Sequence, residues 1–178
     1  MDGRYVHGDP IVRAIAAGRD LREDAVLDGI VDQWAIWAKS APDVGPELGE
    51  ILANTAPTAA AIRAVARSFH ERSRRSAGNG SLMRTAPIAL AYLDDPGSLA
   101  LVARAVSDLT HFEEDAGDAC ELWCLAIRHA VQTGELDIRI GLTALAPERR
   151  SLWQWRIRTA EAFEPSHFSR LGRIRSAG

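Results

Sequence analysis

Gly78-Asn79-Gly80-Ser81-Leu82-Met83-Arg84-Thr85-Ala86-Pro87 is the stretch on which the reading of this chain turns. Two glycines flank an asparagine and an apolar run follows at once, so the backbone is expected to turn sharply and enter a helix. Glycine accepts φ > 0 without a Cβ clash, and asparagine tolerates the left-handed region better than most residues. A loop that runs into a helix exposes backbone N–H groups, which can hold phosphate or polyol oxygens. For Gly-Asn-Gly alone, a plain helix-to-helix turn is the alternative. Ten ordered positions specify more than a turn requires.

Upstream of this loop, Leu27, Ile30, Val31, Trp34 and Trp37 recur at helical spacing from Asp20 onward. Residues 1–17 lack a clear start signal and read as a loose lead or the tail of a helix that begins elsewhere. Pro42, Gly45 and Pro46 close the first segment. A short helix through Leu48, Ile51 and Leu52 is expected next. Thr58 is placed to cap the following helix, whose face is Ile62, Val65, Ala66 and Phe69. That helix ends in an arginine-rich run at Arg72, Arg74 and Arg75.

Downstream, residues 82–93 read as one short apolar helix with Pro87 near its first turns, where proline is best tolerated. Asp94-Asp95-Pro96-Gly97 is a turn signal. Leu99, Val102, Ala103 and Val106 mark another helix ending near Thr110-His111. Residues 113–133 form the clearest helix of all. Its first turn is acidic, its expected buried stripe is Ala116, Ala119, Cys120, Trp123, Ile127, Ala130 and Val131, and Gly134 stands at its end. Residues 138–145 stay open between helix and extended connector, and residues 147–163 make a last helix. With no alternating strand pattern, repeat or low-complexity tract, the spacing predicts an all-α domain.

A chain of 178 residues suits one domain with a real core, or at most two small ones. Five of its eleven aromatic residues are tryptophan, which argues for a packed interior. A net charge of -3 gives no global attraction to nucleic acid or to an anionic membrane. Basic charge is nearly all arginine, Lys39 being the one lysine. Cys120 and Cys124, four apart on a helix, do not favour a disulfide and read as buried thiols in a reducing compartment. No signal-peptide pattern or membrane-length apolar run is present, so a soluble, cytoplasmic protein is expected.

A second informative patch is Ser107-Asp108-Leu109-Thr110-His111, followed by Ala116-Gly117-Asp118-Ala119-Cys120-Glu121-Leu122-Trp123. In this order, the Gly-Asn-Gly-Ser-Leu-Met-Arg loop and the Thr-His pair resemble the signatures of the ADP-ribosylglycohydrolase family. The resemblance spans at least residues 20–163. It implies an all-α orthogonal multi-helix bundle, here incomplete, with one domain over 1–165 and a non-family tail over 166–178. It also implies a hydrolase that removes ADP-ribose from a protein side chain or a small acceptor. The family's chemistry cleaves the glycosidic bond at the ribose C1″, with two magnesium ions orienting the ribose hydroxyls and the water.

On this resemblance Gly78, Asn79, Gly80 and Ser81 would hug the ribose and diphosphate. Met83 and Arg84 would position the loop or contact the ligand, and Thr110 with His111 would close the other wall. The pattern breaks at the metal ligands. The family's threonine-aspartate-aspartate segment and its glycine-aspartate-threonine-aspartate-threonine segment are both missing from the sequence. Asp94-Asp95 reads as a solvated turn, and Glu113, Glu114 and Asp115 as first-turn acids.

No metal ligand and no general base is therefore assigned. The chain is expected to be a truncated or frame-disrupted product retaining the middle of the fold. Two readings follow: a magnesium-dependent hydrolase of that family, or an inactive remnant that at most binds ADP-ribose. A nucleic-acid module built on Arg67, Arg72, Arg74 and Arg75 is disfavoured by the acidic net charge and the lack of interleaved aromatics.

Overall fold

The computed structural model of the chain describes residues 9–41, 44–53, 55–73, 76 and 78–163. Among the described residues all regular structure is helical: α1 (Asp9–Ala16), α2 (Asp24–Ala38), α3 (Pro46–Ala53), α4 (Ala59–Ser73), α5 (Gly80–Thr85), α6 (Ile88–Ala91), α7 (Pro96–Asp108), α8 (Glu114–Thr133), a 3-10 helix (Ile138–Ala144) and α9 (Pro147–Ala162). The all-α expectation holds. Pro42, Arg74, Arg75 and the 166–178 segment lie outside the described residues. The chain divides into two compact units, Met1–Gly141 and Leu142–Gly178.

In the first unit, α2 packs against α1, α3 and α4, and α8 packs against α5, α6 and most extensively α7. The predicted face of α2 is the buried one, with Leu27, Ile30, Val31 and Trp34 at the centre of the core. Each such side chain contributes roughly 1.5–3 kcal/mol on removal from water. Thr58 Oγ1 accepts the Ala61 N–H at 3.3 Å, as expected of a cap, and Asp28 of α2 accepts the Ala59 N–H at 2.7 Å. The start of α4 is thereby tied to α2.

Three local expectations are refined. Of the two readings left open for residues 1–17, the helical one fits residues 9–16, which form α1 with Pro10 in its first turn and Ile11 fully buried. Proline without an N–H is suited to that position. Residues 82–93 are two short helices, because Pro87 offers no N–H to Met83 and the chain breaks at Ala86-Pro87. It restarts through i→i−3 bonds, Ala89 N–H to Ala86 O at 3.2 Å and Leu90 N–H to Pro87 O at 3.1 Å.

The third of these, a correction, concerns α8. Of its expected stripe, Ala116 and Cys120 are buried, whereas Ala119, Trp123, Ile127 and Ala130 are half-buried and Val131 is exposed. Gly117, Asp118, Glu121, Leu122, Cys124, Leu125 and Ala126 are buried instead. α8 is covered by α7 as well as by α5 and α6, so its buried face is wider than a single stripe. Its end is as expected: Gly134 has φ 82° and donates to Ala130 O at 2.8 Å.

In α7, Leu99, Val102, Ala103 and Val106 are all buried. Asp95 is its cap, accepting the Ser98 N–H at 2.9 Å, and Pro96 follows in the first turn. Both Asp94 and Asp95 are exposed, as a solvated turn requires.

In the second unit, Arg150 of α9 donates to the carbonyls of Leu142, Thr143 and Leu145, closing the end of the 3-10 helix. α9 buries none of its residues fully. The open assignment of residues 138–145 resolves as a helix of the tighter kind.

Candidate functional site

The two sequence patches meet. Gly80 opens α5 and lies against the imidazole of His111, which follows α7: a Cβ built on Gly80 would stand 3.1 Å from His111 Cε1 and 3.2 Å from Nε2. A left-handed conformation is not what Gly80 provides here. Asn79 has φ −81° and ψ 5°, and Gly80 has no left-handed φ. The need for glycine at position 80 is spatial, since any side chain would press on the ring.

Arg84, one turn further along α5, is buried beneath this contact with 1% of its surface exposed. Its guanidinium donates to Thr110 Oγ1 and, at 3.3 Å, to Val106 O. Its flat face stands 4.7 Å from the Trp34 ring centroid, a cation–π arrangement in the core. Thr110 Oγ1 lies 2.8 Å from His111 Nδ1. A chain Trp34–Arg84–Thr110–His111 therefore runs from the core to the loop. Burial, and secondarily the nearby Arg84 charge, push the His111 pKa down to about 3. At neutral pH this ring is an uncharged hydrogen-bonding group.

The remaining sequence-predicted residues divide by exposure. Gly78 and Asn79 are exposed, and Met83 is 67% exposed. Ser81 is fully buried, its Oγ accepting the Cys120 thiol at 3.5 Å. Cys124 donates to Thr85 O at 3.3 Å, so the two free, buried thiols of α8 back α5. Gly78 and Asn79 thus face outward, whereas Ser81, Arg84 and Thr110 lie behind them.

Sequence reasoning missed the anchors around this contact. Glu113 is the N-cap residue of α8 but makes no cap hydrogen bond with its side chain; its Oε2 accepts the Ser76 N–H at 2.9 Å. Ser76 is buried, and its Oγ lies 2.6 Å from His70 Nδ1. Phe112 packs beside His70, with Arg67 over its ring at 4.8 Å. Of the arginines singled out earlier, Arg72 pairs with Glu50 at 2.9 Å. Only the placement of Glu113 two residues after His111 hinted at any of this.

Behind α7 lies a separate charged cluster, in which Arg104 donates to the carboxylates of Asp118 and Glu121. Nearby Asp108 is pushed up to about 6 by burial, against the pull of Arg104 and Arg63. Among the described residues, no group of three or more His, Cys, Asp or Glu is arranged to hold a metal ion. The described donors therefore do not fit a magnesium centre, which needs several oxygen ligands in near-octahedral array. Among the same residues, no helix is long and apolar enough to cross a membrane.

Comparison with known proteins adds an independent line. A family model described as ADP-ribosylglycohydrolase matches residues 9–176. The ADP-ribosyl-[dinitrogen reductase] glycohydrolase of Rhodospirillum rubrum is 32% identical over 132 residues, covering 69% of this chain and 40% of that protein. The chain thus spans well under two thirds of the length of this relative. No solved structure matches the chain significantly.

Proposed function

The chain belongs to the ADP-ribosylglycohydrolase family, and on that premise we propose that the 78–81 turn and Thr110-His111 form one wall of an ADP-ribose site. The activity proposed is hydrolysis of the glycosidic bond between ADP-ribose and a protein side chain or small acceptor. The single observation that carries the reading is the contact of Gly80 with His111, which joins two patches some 30 residues apart into one surface. Exposed Gly78 and Asn79 would meet the ligand, and His111 would close the wall as a neutral imidazole. Buried Arg84 and Thr110 would hold that imidazole in place rather than touch the ligand. No residue is assigned as general base.

A second reading is binding without turnover. It is favoured by the lack of a metal-holding group among the described residues. Calorimetric titration of ADP-ribose into the full chain, with and without magnesium, combined with release from arginine- and serine-linked ADP-ribosyl peptides, tests both. Magnesium-dependent release supports the hydrolase, and magnesium-independent binding without release supports the second reading. Lack of any ADP-ribose binding overturns both.

A further inference from the structure

The loop that carries the site is held at two places by the segment that follows α7. Gly80 meets His111, and the Ser76 backbone N–H bonds to Glu113 at 2.9 Å. Ser76 and Gly80 are four residues apart, as His111 and Glu113 are two apart, so both contacts join the same two short stretches of chain. Residues 76–80 reach at most roughly 13 Å when extended, so a loop docked at both ends has little freedom to lift. The Ser76 side chain adds a third hold through its 2.6 Å contact with His70 on α4. Ser76 is buried, and Glu113 is half-buried beside Phe112.

We propose that Glu113 is a positioning residue: its carboxylate fixes the approach of the 78–80 turn to His111 and so sets the affinity of the site without touching ligand. A free loop must be ordered when ligand arrives, and each residue so ordered weakens binding. Here the carboxylate orders it beforehand. A charged acceptor on a backbone N–H is a strong anchor, stronger than a neutral pair. The role needs an acceptor oxygen at position 113 rather than the negative charge itself, which separates it from a helix-dipole effect at the start of α8. This inference rests on the ADP-ribose reading only for its ligand.

The experiment compares Glu113→Ala and Glu113→Gln in the full chain by amide hydrogen exchange at Ser76, thermal melting and ADP-ribose titration. Glu113→Ala should speed Ser76 exchange and weaken ADP-ribose binding, each about tenfold, the size expected for one charge-assisted bond. Glu113→Gln, which keeps an acceptor oxygen, should restore both to within about threefold of wild type. A merely structural role predicts that binding tracks the melting temperature in both variants. Unchanged Ser76 exchange in Glu113→Ala, or a Glu113→Gln variant as impaired as Glu113→Ala, overturns the proposal. If wild type binds no ADP-ribose, the functional reading fails, while the exchange data still decide whether Glu113 holds the loop.

Discussion

Gly80 and His111 are pressed together so closely that a methyl group between them would sit 3.1 Å from the imidazole Cε1. The ring cannot swing aside freely, since its Nδ1 is engaged by Thr110 and it is 5% exposed. Gly80→Ala should therefore displace the ring by a few tenths of an ångström. The gain in helix propensity, up to ~1 kcal/mol, offsets the strain. The expected outcome is a melting temperature within a few degrees of wild type and ADP-ribose affinity reduced about tenfold, read by differential scanning and titration calorimetry. Unaltered affinity would remove this contact from the site.

The acid stability of the fold should carry two opposing signatures. His111 has a folded pKa of about 3, below the ~6.5 of an unfolded chain, so unfolding takes up a proton between those values. Its contribution is complete above pH ~6.5 and is lost as pH falls toward 3, at about 1.4 kcal/mol per unit. Asp108 is the reverse. Its folded pKa of about 6 exceeds the unfolded ~3.9, so its penalty is complete above pH 6 and disappears below ~3.9. Between pH ~4 and 6 the two slopes cancel. Asp108→Asn should raise stability at pH 7 by about 1–3 kcal/mol and steepen the loss on acidification, as urea denaturation across pH would record. A variant whose pH dependence parallels wild type would contradict this assignment.

Arg104 is the sole cation bonded to two buried carboxylates, Asp118 and Glu121, among the described ion pairs. Arg104→Met should cost about 3–5 kcal/mol at pH 7, because it removes a bonded cation from two buried acids. The cost should shrink toward pH 4 as Glu121, whose carboxyl burial holds above its usual range, takes up a proton. Chemical denaturation at the two pH values measures the difference, and a loss under ~1 kcal/mol would show the cluster to be solvated.

Neither thiol should react in the native state. Cys120 and Cys124 are fully buried, and burial pushes the Cys124 thiol up to about 12, so little thiolate exists to attack a reagent. Labelling with an aromatic disulfide should proceed only in denaturant, at two equivalents per chain. Rapid native labelling of either would mean that α8 parts readily from α5.

Helix positions were legible wherever the buried residues form a single apolar stripe, as in α2 and α7, because a 3.6-residue period maps directly onto burial. α8 was misread in its stripe because two layers cover it, and periodicity records only one face. The break at Pro87 was visible as a residue but was misplaced, since a register counted from Leu82 put it near the first turns when the helix already begins at Gly80. At the site, the two motifs were visible and the resemblance set them around one pocket, but the direct contact of Gly80 with His111 was not legible. Arg84 over Trp34 and Ser76 on Glu113 join positions far apart in sequence, and no local pattern encodes such partners. Buried Ser81 and Arg84 carry the same letters as ligand-facing residues, and only packing separates them.

Arg84 resting on Trp34 makes the indole of a distant core helix the floor beneath the Thr110–His111 pair. Oxidative opening of that indole, as ultraviolet light produces, would strip the guanidinium of its stacking surface while leaving every outward-facing group chemically intact. Photodamage would then register as faded ligand recognition in a molecule whose rim had not been touched.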